Sequence, residues 1–297
     1  MGRKSRHLYN ILLLLLCIII TLIYIFNNRN GVRETFQGRR EFHFYNKSHY
    51  GDSILNLKFF YNISNILSQN NIMIHYYYSE WIKNIGELER YTNKETMSLH
   101  PYNECPDDAI ELWMRNDVNG ISMGEFDRYY NAFYENILKI IGLEGKGIDT
   151  SLYQREDYLM NIYNKLDSKY KDIDILIINA EPKSGQFEYN KEAFDEIINS
   201  LSKKYRVVTT APSTPNVPCT MNDNLSLQDI GAISTHAKYI FAVHSGPLIP
   251  CFNWHTKQHV KKWIIMDKGQ YIFSDINNKI LHALPDLNTI LSEFSLE

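Results

Sequence analysis

The sequence predicts an α/β fold: two Rossmann-like, doubly wound lobes behind an N-terminal transmembrane helix. Three observations predict it. Short apolar runs rich in β-formers, such as Ile72–Tyr78 and Tyr239–Val243, alternate with segments of helical periodicity. The alternation runs twice, on either side of the glycine-rich stretch GLEGKG at 142–147. Residues 225–267 alone read as helix, strand, Ser-Gly-Pro turn, helix, strand, one turn of such a domain.

Residues 11–26, ILLLLLCIIITLIYIF, form an uncharged apolar run behind a basic tail at 1–10. The run is slightly short for an average bilayer and suits the thinner membranes of the early secretory route. No small-residue cleavage site follows it, so a retained signal anchor is expected rather than a cleaved signal peptide. Basic residues before the run (Arg3, Lys4, Arg6) nearly balance those after it (Arg29, Arg33, Arg39, Arg40), which leaves orientation to other evidence. Sequons at Asn46, Asn62 and Asn224 favour a type II single-pass protein with a lumenal, glycosylated body, in the ER or Golgi or in a host membrane if viral. Gly2 is not followed by the Ser or Thr at position 6 that myristoylation prefers.

After a polar stem at 27–41, a strand at 42–45, a turn at 49–52, a helix over 54–67 and a strand over Ile72–Tyr78 make the first βαβ unit. Residues 82–106 have no legible period. A short strand is expected at 109–114 and a helix over 126–141. The 142–147 stretch reads as a linker, since it has no GK[ST] and follows no strand. The second array has a helix over 153–170, a strand over 173–179, a helix over 194–201, a strand over 206–210, the 225–267 unit and a terminal helix from about Asp286. The expected lobes are 42–147 and 148–297.

Composition narrows the function. The 297 residues are 44% hydrophobic and 13% aromatic, too apolar for disorder, and the net charge of −3 offers no basic field for nucleic acid. Outside the apolar run the cysteines are Cys105, Cys219 and Cys251; none makes a CxxC, and a Cys219–Cys251 bridge stays open.

Three places combine the right residue types with a strand end. Gly51 and Asp52 follow the first strand, where a carboxylate either caps the helix or acts as a general base on a hydroxyl. Lys183, Ser184 and Gly185 follow the strand at 173–179 and suit a diphosphate; an ordinary Pro/Gly turn is the alternative. Thr209, Thr210 and Ser213 offer further hydroxyls. His244, Ser245, Gly246 and Pro247 follow the strand Tyr239–Val243, at the sheet edge where free N–H groups favour anions; a plain strand-to-helix connection is the other reading. Asp172 and Asp174 precede their strand and so lie at the wrong end of the sheet for a metal. His255 and His259 lack the Glu of a zinc protease. No metal and no cofactor is expected.

The stretch SLQDIGAISTHAKYIFAVHSGP resembles the donor-binding segment of heptosyltransferase-like glycosyltransferases of GT-B fold, roughly S-L-x-E-L-A-x-L-I-x-x-A-x-x-x-I-x-x-D-S-G-P. HYGDSILNLKFF is similar to the same family's opening G-D-x-x-x-x-x-P. The resemblance implies Asp52 as base and Ser245, Gly246 and Pro247 as phosphate-loop residues, with Lys183 a looser match. It also implies an acceptor in the first lobe and a nucleotide-sugar donor in the second. This chain departs from the pattern at His244, where the family has Asp, at Ile249, where a His often stands, and in the first helix, which has Lys58 nearby and no Pro. The expectation is a membrane-anchored, metal-independent glycosyltransferase (hexosyl or heptosyl transfer) acting on a glycan, lipid or protein acceptor. The alternative is a non-catalytic membrane glycoprotein that uses the same scaffold for binding.

Overall fold

Alternating apolar strands and helices fold here as two parallel sheets. The computed structural model describes residues 38–112, 117–183, 185, 187–269 and 271–294. The expected tail, anchor at 11–26 and most of the stem lie outside the described residues, as does Ser184. Among the described residues no helix is long and apolar enough to cross a membrane. Met1–Arg40 and Glu41–Glu297 are separate units, and apart from Arg40 every strand residue belongs to the second.

The first sheet contains β1 (Arg40–Asn46), β2 (Ile72–Tyr78), β3 (Met97–Pro101) and β4 (Ile110–Glu111), in the order β3-β2-β1-β4. A small antiparallel hairpin, β5 (Asp117–Val118) with β6 (Ile121–Ser122), comes next in the chain. The second sheet contains β7 (Ile175–Ile178), β8 (Val207–Thr209), β9 (Tyr239–Val243), β10 (Lys262–Met266) and β11 (Asn278–Leu281), all parallel, in the order β11-β10-β9-β7-β8. Each order reverses once. The chain leaves β1 for β2 on one side and returns to place β4 on the other; it leaves β7 for β8 and returns to place β9 on the opposite side. Loops diverge at such switch points and open a crevice at the carboxyl ends of the strands.

The central strands carry apolar side chains on both faces, as parallel strands covered on both sides do. Leu176 and Ile178 of β7 join one large core cluster with Phe44, Ile240, Ile249, Phe252 and Trp263, so a single apolar core runs from the first sheet to the second. Ile175 and Ile177 point the other way, to Phe194, Phe241 and Ile264. The helix α1 (Tyr50–Asn62) is buried without interruption from Ser53 to Phe60, because it is covered on several sides. It packs against Gly246–Cys251, and Phe59 stacks on Tyr134 at 4.2 Å. Within this packing Lys58 pairs with Glu156 at 2.7 Å, the side chains 3% and 1% exposed, and Lys58 also donates to the Phe252 carbonyl.

Several expected elements change. The helix over 54–67 is two helices, α1 and α2 (Ser64–Gln69), broken at Ile63. The stretch 82–106 holds the short helix α3 (Gly86–Glu89) and β3. Phe126–Ile140, α4, matches its expected span to one residue. The helix expected over 153–170 is only α5 (Tyr158–Lys165) with a separate 3₁₀ turn at Ser168–Tyr170. The reason is tertiary: Gln154 bonds Asn62 and the Asp149 carbonyl, and Glu156 meets Lys58, which holds the stretch before α5 out of the helix. Lys191–Ser202, α6, and Leu227–Ser234, α7, follow the expected pattern, with Trp254–His259 as α8 and Leu287–Phe294 as α9. The strand β11 was not expected. The sequon at Asn46 is not presented: its side chain is fully buried and donates to the Leu112 carbonyl at 3.1 Å. Asn62 donates to Gln154 at 2.8 Å, while Asn224 is exposed. Cys219 and Cys251 are separate buried thiols, and burial pushes the Cys251 thiol up to about 12.

Candidate active site

Asp52 sits in the first turn of α1, at the switch point of the first sheet. Its Oδ2 accepts a hydrogen bond from the His49 N–H at 3.1 Å, so the helix-cap role is real. The side chain also lines a cavity of about 160 Å³ together with Gly51, Leu55, Phe126, His244, Gly246 and Tyr271. Burial raises its carboxyl above the usual range, against the lowering pull of the His49 N–H and of the His49 and His244 charges. A carboxylate raised in this way and facing a cavity has the chemistry of a base as well as of a cap.

Across the cavity stands His244, directly after β9 at the switch point of the second sheet. Its Nδ1 is bonded to Asp267 Oδ2, a carboxylate with no exposure just past the end of β10. Asp267 Oδ1 accepts from the Gly269 N–H. Phe126, Tyr271 and Phe273 stand edge-on to the imidazole at 5.2 to 5.8 Å between ring centres. With Nδ1 taken and the ring walled, Nε2 is the nitrogen left to meet a ligand. The carboxylate–imidazole pair fixes ring orientation as in hydrolytic triads, without their nucleophile.

Ser245 is buried, its Oγ donating to the Val243 carbonyl at 3.2 Å. Gly246 and Pro247 open the 3₁₀ segment Gly246–Cys251. Two glycines meet here: a Cβ on Gly51 would stand 3.5 Å from the Gly246 Cα and 3.5 Å from Ile249. The first turn of α1 and the segment after β9, far apart in sequence, thus pack closely at these glycines.

Not every expected residue joins them. Lys183 and Gly185 are exposed on the loop after β7 and are not among the residues lining the cavity. Gly185 has φ of +73°, which the turn requires. The hydroxyls at 209–213 are committed elsewhere: Thr209 to the Pro218 carbonyl, Thr210 to Asn179, and Ser213 to Asp195. Each of these hydroxyls closes a loop of the second sheet. Asp174 pairs with Lys238 at 2.7 Å and His255 with Asp157 at 2.9 Å, both structural contacts. Sequence reading missed two residues. Asp267 could have been found as an acid at the carboxyl end of the apolar run WIIM. Lys58 was visible only as a departure from a pattern.

The two parallel sheets thus carry, at their switch points, one small cavity lined by a carboxylate and by a carboxylate-held imidazole. No family model matches the sequence, and no curated protein matches it. Among solved structures the chain is similar to three glycosyltransferases. One is the iron-containing dodecameric glycosyltransferase TibC of enterotoxigenic E. coli, at 16% identity over 77% of this chain and TM-score 0.43; this chain spans 58% of TibC's length. A glycosyl transferase family 9 protein of Veillonella parvula is similar at 11% identity over 87% of this chain and 92% of that one, TM-score 0.42. The E. coli heptosyltransferase WaaC, solved with ADP-2-deoxy-2-fluoro heptose, is similar at 9% identity over 82% and 93%, TM-score 0.44. The match is distant. Likeness of this size assigns no activity, so the functional reading rests on the pocket.

Proposed function

We propose that this protein is a membrane-anchored glycosyltransferase that moves a sugar from a nucleotide-activated donor to an acceptor hydroxyl, with no metal at the reacting centre. The observation that supports it most is the convergence of Asp52 and His244, each at the switch point of its own sheet, on one cavity. Asp52 takes the proton of the acceptor hydroxyl as its oxygen bonds the sugar's anomeric carbon. The bond from that carbon to the phosphate oxygen breaks, and its electron pair leaves with the nucleoside diphosphate. His244, its ring held in place by Asp267, faces that leaving phosphate, and the loop at Ser245 to Pro247 shapes its seat. The acceptor then belongs to lobe 42–147 and the donor to lobe 148–297, in a GT-B-like arrangement. The anchor at 11–26 and a lumenal body rest on the sequence, with Asn224 as the presented sequon.

A cavity of about 160 Å³ is smaller than the roughly 300–1,000 Å³ of typical ligand sites. It suits the reacting sugar alone, with the nucleotide reaching outward toward Lys183. The same size favours a second reading. The Gly51–Gly246 contact, the buried Lys58–Glu156 pair and a lining without Lys or Arg also describe a closed scaffold with no turnover. Thermal shift of the full chain with nucleoside diphosphates, then product analysis with labelled nucleotide sugars, separates them. Stabilisation and a transferred label support the transferase. No stabilisation by any diphosphate sinks it and leaves the scaffold.

A further inference from the structure

Three imidazoles lie side by side on one face of the first sheet, away from the pocket. His43 comes from β1, His75 from β2 and His100 from β3, three neighbouring strands. Glu41 is two positions before His43, hence on the same face of the strand. The rings of His43 and His75 stack at 4.7 Å between centres, and those of His75 and His100 lie 5.5 Å apart.

The hydrogen bonds orient the rings. The Nδ1 of His43 meets the Tyr77 hydroxyl at 3.0 Å, and the Nδ1 of His75 meets the Ser98 hydroxyl at 2.9 Å. Ser98 in turn contacts His100 Nε2 at 2.7 Å. If each Nδ1–H donates to its hydroxyl, and Ser98 donates onward to His100, then His43 and His75 both carry their lone pair on Nε2. His75 Nε2 lies 3.6 Å from Glu41 Oε2. Glu41, His43 and His75 offer one ligand atom each, all within 4.8 Å of one another. Donors on a tetrahedral ion with bonds of about 2.0–2.2 Å stand roughly 3.3 Å apart, so modest side-chain adjustment closes the set. Fixing a ligating histidine through its other ring nitrogen is what metal sites require.

We propose that Glu41, His43 and His75 bind one divalent transition-metal ion, with Tyr77 and Ser98 holding the imidazoles. Two imidazoles and a carboxylate select borderline ions such as Zn²⁺ or Co²⁺ over Mg²⁺ and Ca²⁺, which prefer all-oxygen sites. Glu41 is exposed and both histidines are half-buried, so water completes the coordination sphere. The site lies in the amino-terminal half of β1, whereas Asp52 lies beyond the carboxyl end of that strand. The ion therefore acts as a clip joining the first residues of the folded body to β2, and it takes no part in the pocket. The proposal does not depend on sugar transfer.

The test is titration of the metal-stripped full chain with Co²⁺, read by its visible absorption, with Zn²⁺ as competitor. One saturable Co²⁺ per chain is expected, displaced by Zn²⁺ and not by Mg²⁺. His43→Gln, His75→Gln and Glu41→Gln should each weaken binding at least tenfold, and Ser98→Ala by about ten- to a hundredfold. A His255→Gln/His259→Gln double variant should bind as the parent does. Melting temperatures in EDTA check folding, and Glu41→Gln, at an exposed position, keeps the test decisive if a histidine variant does not fold. Absence of saturable binding, or equal affinity in Glu41→Gln and the parent, overturns the site.

Discussion

Two loops leave the second sheet at neighbouring strands, and the sequence treats them alike. Both come after an apolar strand and both carry a glycine and a hydroxyl. The loop after β7, with Lys183 and Gly185, stands in solvent. The loop after β9 is folded under α1, with His244 and Ser245 each 8% exposed and Gly246 against Gly51. The difference is not in the loops' own residues. It comes from what lies across the switch point: β9 faces the start of α1, and nothing among the described residues covers Lys183 and Gly185. One loop is thus held by packing against α1, and the other is open to solvent at Lys183 and Gly185.

The largest expected effect breaks the buried side of this comparison. Asp52→Asn should lower transfer by roughly 10²–10⁴-fold, the usual range for losing a positioned base. The fold should not suffer. The carboxyl of Asp52 is raised by burial, so its contribution to stability is fully present below the ordinary carboxylate range and is lost as pH rises through the raised value. Asparagine keeps an acceptor for the His49 N–H and carries no charge to desolvate. At neutral pH the variant should therefore melt no lower than the parent, and the gap in its favour should narrow on acidification. Unchanged turnover, or a melting temperature that falls at neutral pH, would reduce Asp52 to a helix cap.

Next in size is the buried ion pair between α1 and the stretch before α5. Lys58→Ala should cost about 3–5 kcal/mol in urea unfolding, because it leaves the Glu156 carboxylate buried without its partner. The double variant Lys58→Met/Glu156→Gln should recover most of that. If Lys58→Ala costs less than about 1 kcal/mol, water reaches Glu156 and the two sheets are less firmly joined than their shared core implies.

These two residues also mark where the sequence stops being readable. The strands Ile72–Tyr78 and Tyr239–Val243 are legible to the residue, since apolar and β-branched runs between turn signals leave little choice. Asp52 and His244 were legible as strand-end polar groups, and both line the cavity. What was not legible depends on partners far away in sequence. Asp267 matters through His244, 23 positions off, and looks alone like any acid closing a strand. Residues 153–157 have helical periodicity, yet Gln154 and Glu156 are drawn into bonds with α1. Asn46 reads as a glycosylation acceptor by motif, yet its amide is sealed against Leu112. In each case a tertiary contact overrides a local signal of correct form.

A smaller effect distinguishes a working pocket from a filled one. Gly51→Ala adds a methyl at ordinary contact distance from Gly246 and Ile249, 3.5 Å from each. In a helical turn alanine is favoured over glycine by up to about 1 kcal/mol. The closed structure should therefore be unchanged or slightly stabilised. If the start of α1 and the segment after β9 must part to admit a diphosphate against bare backbone, the same methyl should weaken nucleoside diphosphate binding by about tenfold or more, a penalty of ~1.4 kcal/mol. Calorimetric titration beside thermal melting reads both. Binding and stability both unmoved would place the ligand elsewhere.

The smallest effect concerns the exposed loop. Lys183→Ala should leave stability within about 0.5 kcal/mol of the parent, as surface substitutions do. If the nucleotide extends outward from the cavity, Lys183 supplies a cation that the lining itself lacks. Its loss should then raise KM for the donor with kcat little changed, the signature of binding energy shared by ground and transition states. The KM of the parent should also rise with salt more steeply than that of the variant, because an exposed ammonium acts through screened charge. Equal KM values and equal salt dependence would remove the loop after β7 from the site and leave the buried half of the comparison to account for donor binding alone.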